Sequence, residues 1–596
     1  MTLFGPLTPV VDARADGVTY VRAAEPLPPH PDTWIDRLEY WAREAPDRAF
    51  LAERDAEGGW RKLTYKDALD KTMRIGSWLL QNGASAETPL LILSGNSIEH
   101  GLLSLAGMAV GAPTCPVSTA YSLVSQDLAK LKGVMDLMTP RFAFAQDSKA
   151  YARALELARA RGIGVISADA PAFAEILATP ISDAARAARA ALTPDSIGKF
   201  LLTSGSTGHP KAVVNTQRML CSTHEALREA LPFFKYEPPV LVEWLPWAHT
   251  FGSNSSFGLI LYNGGTFYLD EGRPTPAGIA TTLKNLREVA PTIFFNVPKG
   301  FETLLPHLRS DEALRKTFFS RVKMFFYAGA GLSEPVFEGY RELSVKTLGA
   351  PVAWSTSLGS TETGPGALIN VQGLTKTQNV GVPHRGVTIK LVPNGGKMEL
   401  RLKGPNIMPG YWRRPDLNAA AFDEEGFYMI GDALKLAEPG NWQGGFEFDG
   451  RVSEDFKLAT GTWVSVGPLR LSFTNHFEPL VQDAVITGHD RDDVGALVFP
   501  HFAALAVIAP GLKPEDAVRD SRVHAAFAEK LASLAKGSTG SSMKITRLYL
   551  LVDPPSIEKG EVTDKGSLNQ RLLIANHAAA VESLYAAKPG PCEVRL

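Results

Sequence analysis

Cysteine is scarce in this chain. Three among 596 residues, Cys115, Cys221 and Cys592, stand far apart and form no metal-ligand spacing. They exclude a disulfide scaffold and point to a reducing compartment. A charge excess is also missing. Sixty-one basic residues against 63 acidic ones leave a net charge of −2, which gives no electrostatic reason to expect nucleic acid or an anionic membrane. No uninterrupted apolar run reaches the ~18 residues of a membrane span. The opening MTLFGPLTPVVDARADG carries acids and prolines early and lacks the basic-then-apolar layout of an export signal. A cytoplasmic location is expected. What remains is 45% apolar and 21% charged, an ordinary globular composition. The length suits several domains, or a large unit and a smaller one.

The stretch LLTSGSTGHPKAVVNT, Leu201 to Thr216, sets two apolar, β-branched runs around a break. Both runs read as strands. Between them, Gly205 and Gly208 permit positive φ, and Thr203, Ser204, Ser206 and Thr207 supply hydroxyls. Lys211 closes the loop. Such a loop suits a polyphosphate, although a plain polar hairpin turn fits the composition equally well. It is not a Walker loop, because Ala212 follows the lysine where Ser or Thr is required.

From about Thr64 to Ser360, helical and strand patterns alternate. TYKDALDKTMRIGSWLLQNG is a helix stopped at Asn82-Gly83, PLLILS a buried strand, and IEHGLLSLAGMAVG an apolar helix too short to span a membrane. PTIFFNVP, VKMFFYAGAG and PVAWSTSLG read as strands with helices between them. This alternation predicts an α/β fold of helix-covered, mostly parallel sheets, whose ligands bind at the carboxyl ends of strands. Thr203–Lys211, Ala328–Gly331 and Leu358–Glu362 each follow a strand and are expected to share one crevice. The pattern then changes. GVTIKLVPNGGKMELRLKG alternates strictly about a Pro-Asn-Gly-Gly turn, a hairpin that signals a small barrel-like part or an appended sheet. A boundary near Ser453 divides a large domain, 1–452, from a small mobile α+β domain, 453–596.

Together these segments resemble the adenylate-forming superfamily of acyl-CoA synthetases, luciferases and adenylation domains. The opening loop is similar to its phosphate motif except at Ala212. LGSTET, KGPNIMPGYW, YMIGD and FDGRVSEDFKLATG resemble four further motifs, and all stand in the family's order. Within it, YSLVSQDLAKL, KLATGTWVSVGPLR and EVTDKGSLNQR resemble bacterial feruloyl-CoA synthetases.

The resemblance implies an acid–CoA ligase acting on a hydroxycinnamic acid, with ATP, Mg²⁺ and coenzyme A. A small carboxylic acid is the partner, nucleic acid and membrane are not, and a homodimer is allowed. Thr203, Ser204, Gly205, Ser206, Thr207, Gly208 and Lys211 are then expected to close over the β- and γ-phosphates. Glu362 becomes the magnesium ligand, in keeping with that ion's preference for hard oxygens, and Thr361 a donor to the α-phosphate. Gly329, Ala330 and Gly331 lay bare backbone against adenine, with Leu358 and Gly359 beside it. Asp432 and Arg451 hold the ribose. His249 gates an acid pocket that includes Phe251, Ser255, Trp354, Gly359 and Pro365, and Gly461 passes the pantetheine arm. Lys565, His249, Thr207 and Lys211 are the expected catalytic residues, with Lys559 as the alternative lysine.

Besides Ala212, this sequence departs from the family at three places. Leu358 replaces the ring that stacks on adenine, which makes Trp354 a candidate substitute. Ser453 occupies the hinge position, where Asp or Lys is commoner. The spacing around Lys559 and Lys565 matches the family's lysine motif at neither. Two rivals remain: an adenylating domain that loads a carrier-bound phosphopantetheine, and a degenerate nucleotide-binding scaffold. No carrier or reductase segment is recognised, so a carboxylate reductase is not expected. Retained Lys211, Glu362, Asp432 and Arg451 argue against the scaffold.

Overall fold

The alternating apolar runs become sheets covered by helices. The computed structural model describes residues 2–204, 210–538, 540–556, 558–562 and 568–596. Leu90–Ile92, Thr114–Pro116 and Phe142–Ala145 are short, buried strands that pair in parallel, with the partly buried Gly164–Ser167 beside the last. Ile197–Ser204 adds to the same sheet in parallel, and Pro210–Thr216 returns antiparallel at its edge. Burial on both faces explains why these strands are continuous apolar runs. The helix Ile98–Val110 packs under them. It is buried along its whole length, which accounts for an apolar sequence without polar stripe.

A second parallel set, Ile293–Asn296, Met324–Tyr327 and Ala353–Gly359, is neighboured by the helices Pro298–Ser310 and Glu334–Leu348. The hairpin Thr388–Asn394 and Lys397–Lys403 forms in the expected register, Leu391 opposite Leu400, around Gly395 and Gly396. It is not a separate barrel. Its strands continue through Tyr428–Leu436, Phe446–Arg451, Asn379–Pro383 and Gly366–Ile369 into the parallel set, making one 11-stranded sheet. The strands Pro9–Ala13 and Thr19–Ala23 extend its far edge, with Val21 opposite Ile389.

Beyond Phe456 the chain builds its own core. Phe473, Phe477, Val498, Phe527 and Leu548 are buried together around an antiparallel pair, Val481–Thr487 and Val494–Pro500, and the helix Ser521–Lys536. Several contacts tie the chain from 453 onward to the rest, two polar ones among them. Lys397 pairs with Asp455, and the Gln126 N–H donates to Glu558 Oε1 at 3.0 Å. No helix among the described residues is long and apolar enough to cross a membrane.

Candidate functional site

The site begins where strands stop. Ile197–Ser204 and Pro210–Thr216 place Lys211 opposite Thr203 at the mouth of the expected phosphate loop. Gly205, Ser206, Thr207 and Gly208 lie outside the described residues, and Ser204 is described only as the strand's last backbone position. Thr203 Oγ1 is buried with no hydrogen-bond partner among the described residues, a donor available to a further group.

Among the described residues, Lys211 meets no carboxylate directly. Its ammonium lies 4.2 Å from the centre of the Tyr411 ring, and burial lowers its pKa against the opposing pull of Glu362. The Tyr411 hydroxyl in turn donates to Glu362 Oε1 at 3.0 Å. Burial, then the Glu362 charge, pushes that hydroxyl's pKa up. Glu362 sits in the turn Thr361–Thr363 after the strand Ala353–Gly359, and both Thr361 and Glu362 are buried.

The segment Gly404–Trp412 holds these parts together. The Asn406 amide donates to the carbonyls of Thr363 and Gly366, each at 2.9 Å. The Met408 N–H donates to Glu362 O at 2.9 Å, and the Trp412 N–H to Ala212 O at 2.8 Å. One stretch of backbone thus bonds to both the lysine strand and the carboxylate turn. KGPNIMPGYW was legible as a motif, but nothing in its spacing assigned Tyr411 or Asn406 a role.

Gly359 needs its lack of a side chain: a Cβ there would lie 1.7 Å from Pro365 O. Thr363 Oγ1 donates to the same carbonyl at 2.6 Å. Gly359 and Pro365 therefore stand against each other at the turn. Gly329, at φ +88°, Ala330 and Gly331 are exposed beyond the strand Met324–Tyr327, as a backbone platform requires. Leu358 is half-buried and packs toward the Val21 and Leu368 cluster.

Asp432 and Arg451 pair across neighbouring strands. Arg451 Nε is 3.5 Å from Asp432 Oδ1, and that oxygen has no hydrogen-bond partner among the described residues. Burial raises the carboxyl to about 6, Arg451 opposing. A buried carboxylate with an unused oxygen is suited to accept from a hydroxyl pair.

The expected acid side stands on other elements. His249 is half-buried, and its carbonyl accepts from the Ser253 N–H at 2.9 Å. Phe251–Phe257 is a π-helix, a rare geometry often found at functional sites. The Phe251 ring lies 6.0 Å from Phe295 and 6.4 Å from Phe326, centre to centre. Ser255 is buried in the same helix.

Trp354 is not part of this wall, contrary to expectation. It is 3% exposed and packs 4.8 Å from Phe325, 5.0 Å from Phe301 and 5.4 Å from Phe337. Side chains alternate across a strand. Register pairs Trp354 with Phe325 and Ser355 with Phe326, so the tryptophan points to the face opposite Phe326 and Phe251. It therefore neither lines the acid pocket nor replaces the missing ring beside adenine.

Gly461, at φ +81°, is exposed with nothing within 4 Å of a would-be Cβ. Its hairpin reaches the turn between Asn394 and Lys397, where a Cβ on Gly395 would meet the Trp463 ring at 2.7 Å. Lys565 lies outside the described residues. Lys559 is exposed in a turn, its N–H donating to Ser556 Oγ at 3.2 Å.

No group of three or more His, Cys, Asp or Glu side chains gathers among the described residues. Glu362 alone suits a hard cation whose other ligands are phosphate oxygens and water.

The family described as AMP-binding enzyme matches residues 38–412, and the AMP-binding enzyme C-terminal domain matches residues 456–589. A carboxylic acid reductase of Segniliparus rugosus is 24% identical over 88% of this chain and 46% of the reductase. The long-chain-fatty-acid–CoA ligase FadD15 of Mycobacterium bovis is 24% identical over 91% of this chain and 95% of the ligase. The chain spans less than half the length of the carboxylic acid reductases it matches. The A domain of the Segniliparus rugosus reductase, solved with AMP and a co-purified carboxylic acid, superposes with a TM-score of 0.68 at 22% identity, covering 93% of this chain and 94% of that one. ATP-bound MatB from Rhodopseudomonas palustris gives 0.65 at 20% identity, over 91% and 99%. These superpositions establish a shared fold.

Proposed function

We propose that this chain, which belongs to the AMP-binding enzyme family, is an AMP-forming acid–CoA ligase for a hydroxycinnamic acid such as ferulate, 4-coumarate or caffeate. The observation that carries the ligase reading is the Lys211–Tyr411–Glu362 contact. It sets a cation and a hard anion on either side of one ring, beside a loop mouth with an unused hydroxyl.

In the first half-reaction a carboxylate oxygen bonds to the α-phosphorus of ATP, and the bond to the bridging oxygen breaks, releasing pyrophosphate. Lys211 and the loop screen the phosphates, and Asp432 and Arg451 hold the ribose. A magnesium ion on Glu362 would supply further charge neutralisation at the phosphate oxygens. Lys565, presented by the domain 453–596, stabilises the charge that builds as one anion attacks another. In the second half-reaction the CoA sulfur bonds to the acyl carbon and AMP leaves with the electron pair. The small domain turns so that Ala459–Trp463, with Gly461 at its centre, meets the pantetheine arm.

The hydroxycinnamate reading is supported by the Phe251, Phe295 and Phe326 rings beside the expected acid position, since a flat ring suits aromatic walls. A second reading has its own observation. The reductase matches favour transfer of the acyl group to a carrier-bound phosphopantetheine.

One experiment separates these readings. Ferulate, 4-coumarate, caffeate, benzoate and octanoate are assayed for pyrophosphate release and thioester absorbance, with CoA or with a phosphopantetheinylated carrier. Ferulate with CoA is expected to lead. Better turnover of octanoate than of ferulate overturns the substrate class, and thioester formed only with the carrier overturns the CoA reading.

A further inference from the structure

Lys199 is buried, 3% exposed, in the middle of the strand that ends at the phosphate loop. No described salt bridge involves it. Its ammonium donates to Ser253 Oγ at 2.8 Å and lies 4.6 Å from the centre of the Trp34 ring. Burial alone pulls its pKa down to about 7. Two titratable groups that feel its charge, His100 and His224, are held mostly neutral by their own burial, each pushed down to about 4. A lysine so placed is expensive, and an apolar residue would fill the space with less penalty. The first half of the reaction as written above does not use it.

Its partner explains the position. Ser253 belongs to the π-helix Phe251–Phe257, two residues from Phe251 and two from Ser255, so its side chain leaves the helix on the other side from theirs. Neighbouring side chains of the helix are tied down as well. The Asn254 amide donates to Asn215 Oδ1 at 2.7 Å, and the Ser256 hydroxyl to Glu243 Oε2 at 2.6 Å. A Cβ on Gly258 would lie 2.1 Å from His224 and 2.4 Å from Trp34, so the helix is pressed against its support with no slack.

We propose that Lys199 is a positioning residue for acid selection: by holding Ser253 it fixes the helix whose front side carries Phe251 and Ser255. This rests on the reading above that Phe251 meets the acid. Lys199 and Thr203 lie on one face of the same strand, since residues two apart share a face. The lysine therefore locks the acid wall to the strand that carries the phosphate loop, and sets the distance between carboxylate and ring to one value.

The test uses Lys199→Met, which keeps length without the donor, Ser253→Ala, the double variant, and Phe251→Ala. Each single change at 199 or 253 is expected to raise the KM for ferulate about tenfold, the effect of one buried hydrogen bond. The KM for ATP and kcat should move far less, and the double variant should be no worse than either single one. Lys199→Arg should restore part of the loss. Equal rises in both KM values, or multiplying effects in the double variant, overturn the proposal. If Lys199→Met does not fold, Ser253→Ala, which retains the lysine, decides it by the same split. Should Phe251→Ala shift the ferulate KM while Lys199→Met and Ser253→Ala do not, the positioning role fails alone. Should Phe251→Ala leave it unchanged, the acid placement fails and the proposal falls with it.

Discussion

The Tyr411 hydroxyl donates to Glu362 Oε1 at 3.0 Å while the face of the same ring meets the Lys211 ammonium at 4.2 Å. One side chain thus keeps a cation and an anion apart that would otherwise be free to pair with each other. A direct ion pair would occupy both of the groups that a nucleotide and its metal need.

Glu362→Ala should abolish adenylation at ordinary magnesium concentrations, and excess Mg²⁺ should restore part of the rate. Titrating pyrophosphate release against Mg²⁺ checks this. Intact ATP binding with no rescue at any concentration would point to other ligands. Tyr411→Phe, which keeps the ring over Lys211, should cost only about 1 kcal/mol, roughly a fivefold loss.

Asp432 gives a pH dependence. Burial raises its carboxyl to about 6, and the ionised form is the one that accepts from two ribose hydroxyls. ATP affinity should therefore fall as the pH drops through 6, and Asp432→Asn should flatten that fall. For stability the sign is opposite. A carboxyl with a raised folded pKa favours the folded state when protonated, so that favourable contribution is lost as the pH rises from the unfolded value toward 6. Nucleotide binding measured by calorimetry between pH 5 and 8, a range set by ~1 unit around the shift and above, reads the first effect directly.

Trp354 should behave as a core residue. Trp354→Ala is expected to cost about 3–5 kcal/mol of stability, read by denaturant unfolding. At a temperature where the variant stays folded, KM values for ATP and acid should be nearly unchanged. A selective change in the acid KM would return the tryptophan to the pocket.

The two half-reactions should separate by residue. Lys565→Ala is expected to slow acyl-adenylate formation by on the order of 10²–10³ yet still convert supplied acyl-adenylate to thioester. Gly461→Leu should form acyl-adenylate and stall with CoA. Equal loss in both halves for Lys565→Ala rejects the rotation or this lysine, and Lys559 is then exchanged next.

Much was legible because it is local. The helix Tyr65–Gln81 and the hairpin across Gly395–Gly396 follow from periodicity and turn residues alone. Motif order carried the family and made Lys211, Glu362, Asp432 and Arg451 candidates for its site. Trp354 was misplaced because strand alternation fixes that two neighbours diverge, but not which of them faces the site. Only the pairing of Trp354 with Phe325 settles it. Tyr411 and Lys199 were invisible for a related reason. Tyr411 stands 49 residues from Glu362 along the chain, and Lys199 stands 54 from Ser253. Local sequence determines the elements and the chemical groups they carry. Which groups meet is decided by sheet order and burial, because hydrogen bonds and ring contacts act over a few ångströms in space and take no account of separation along the chain.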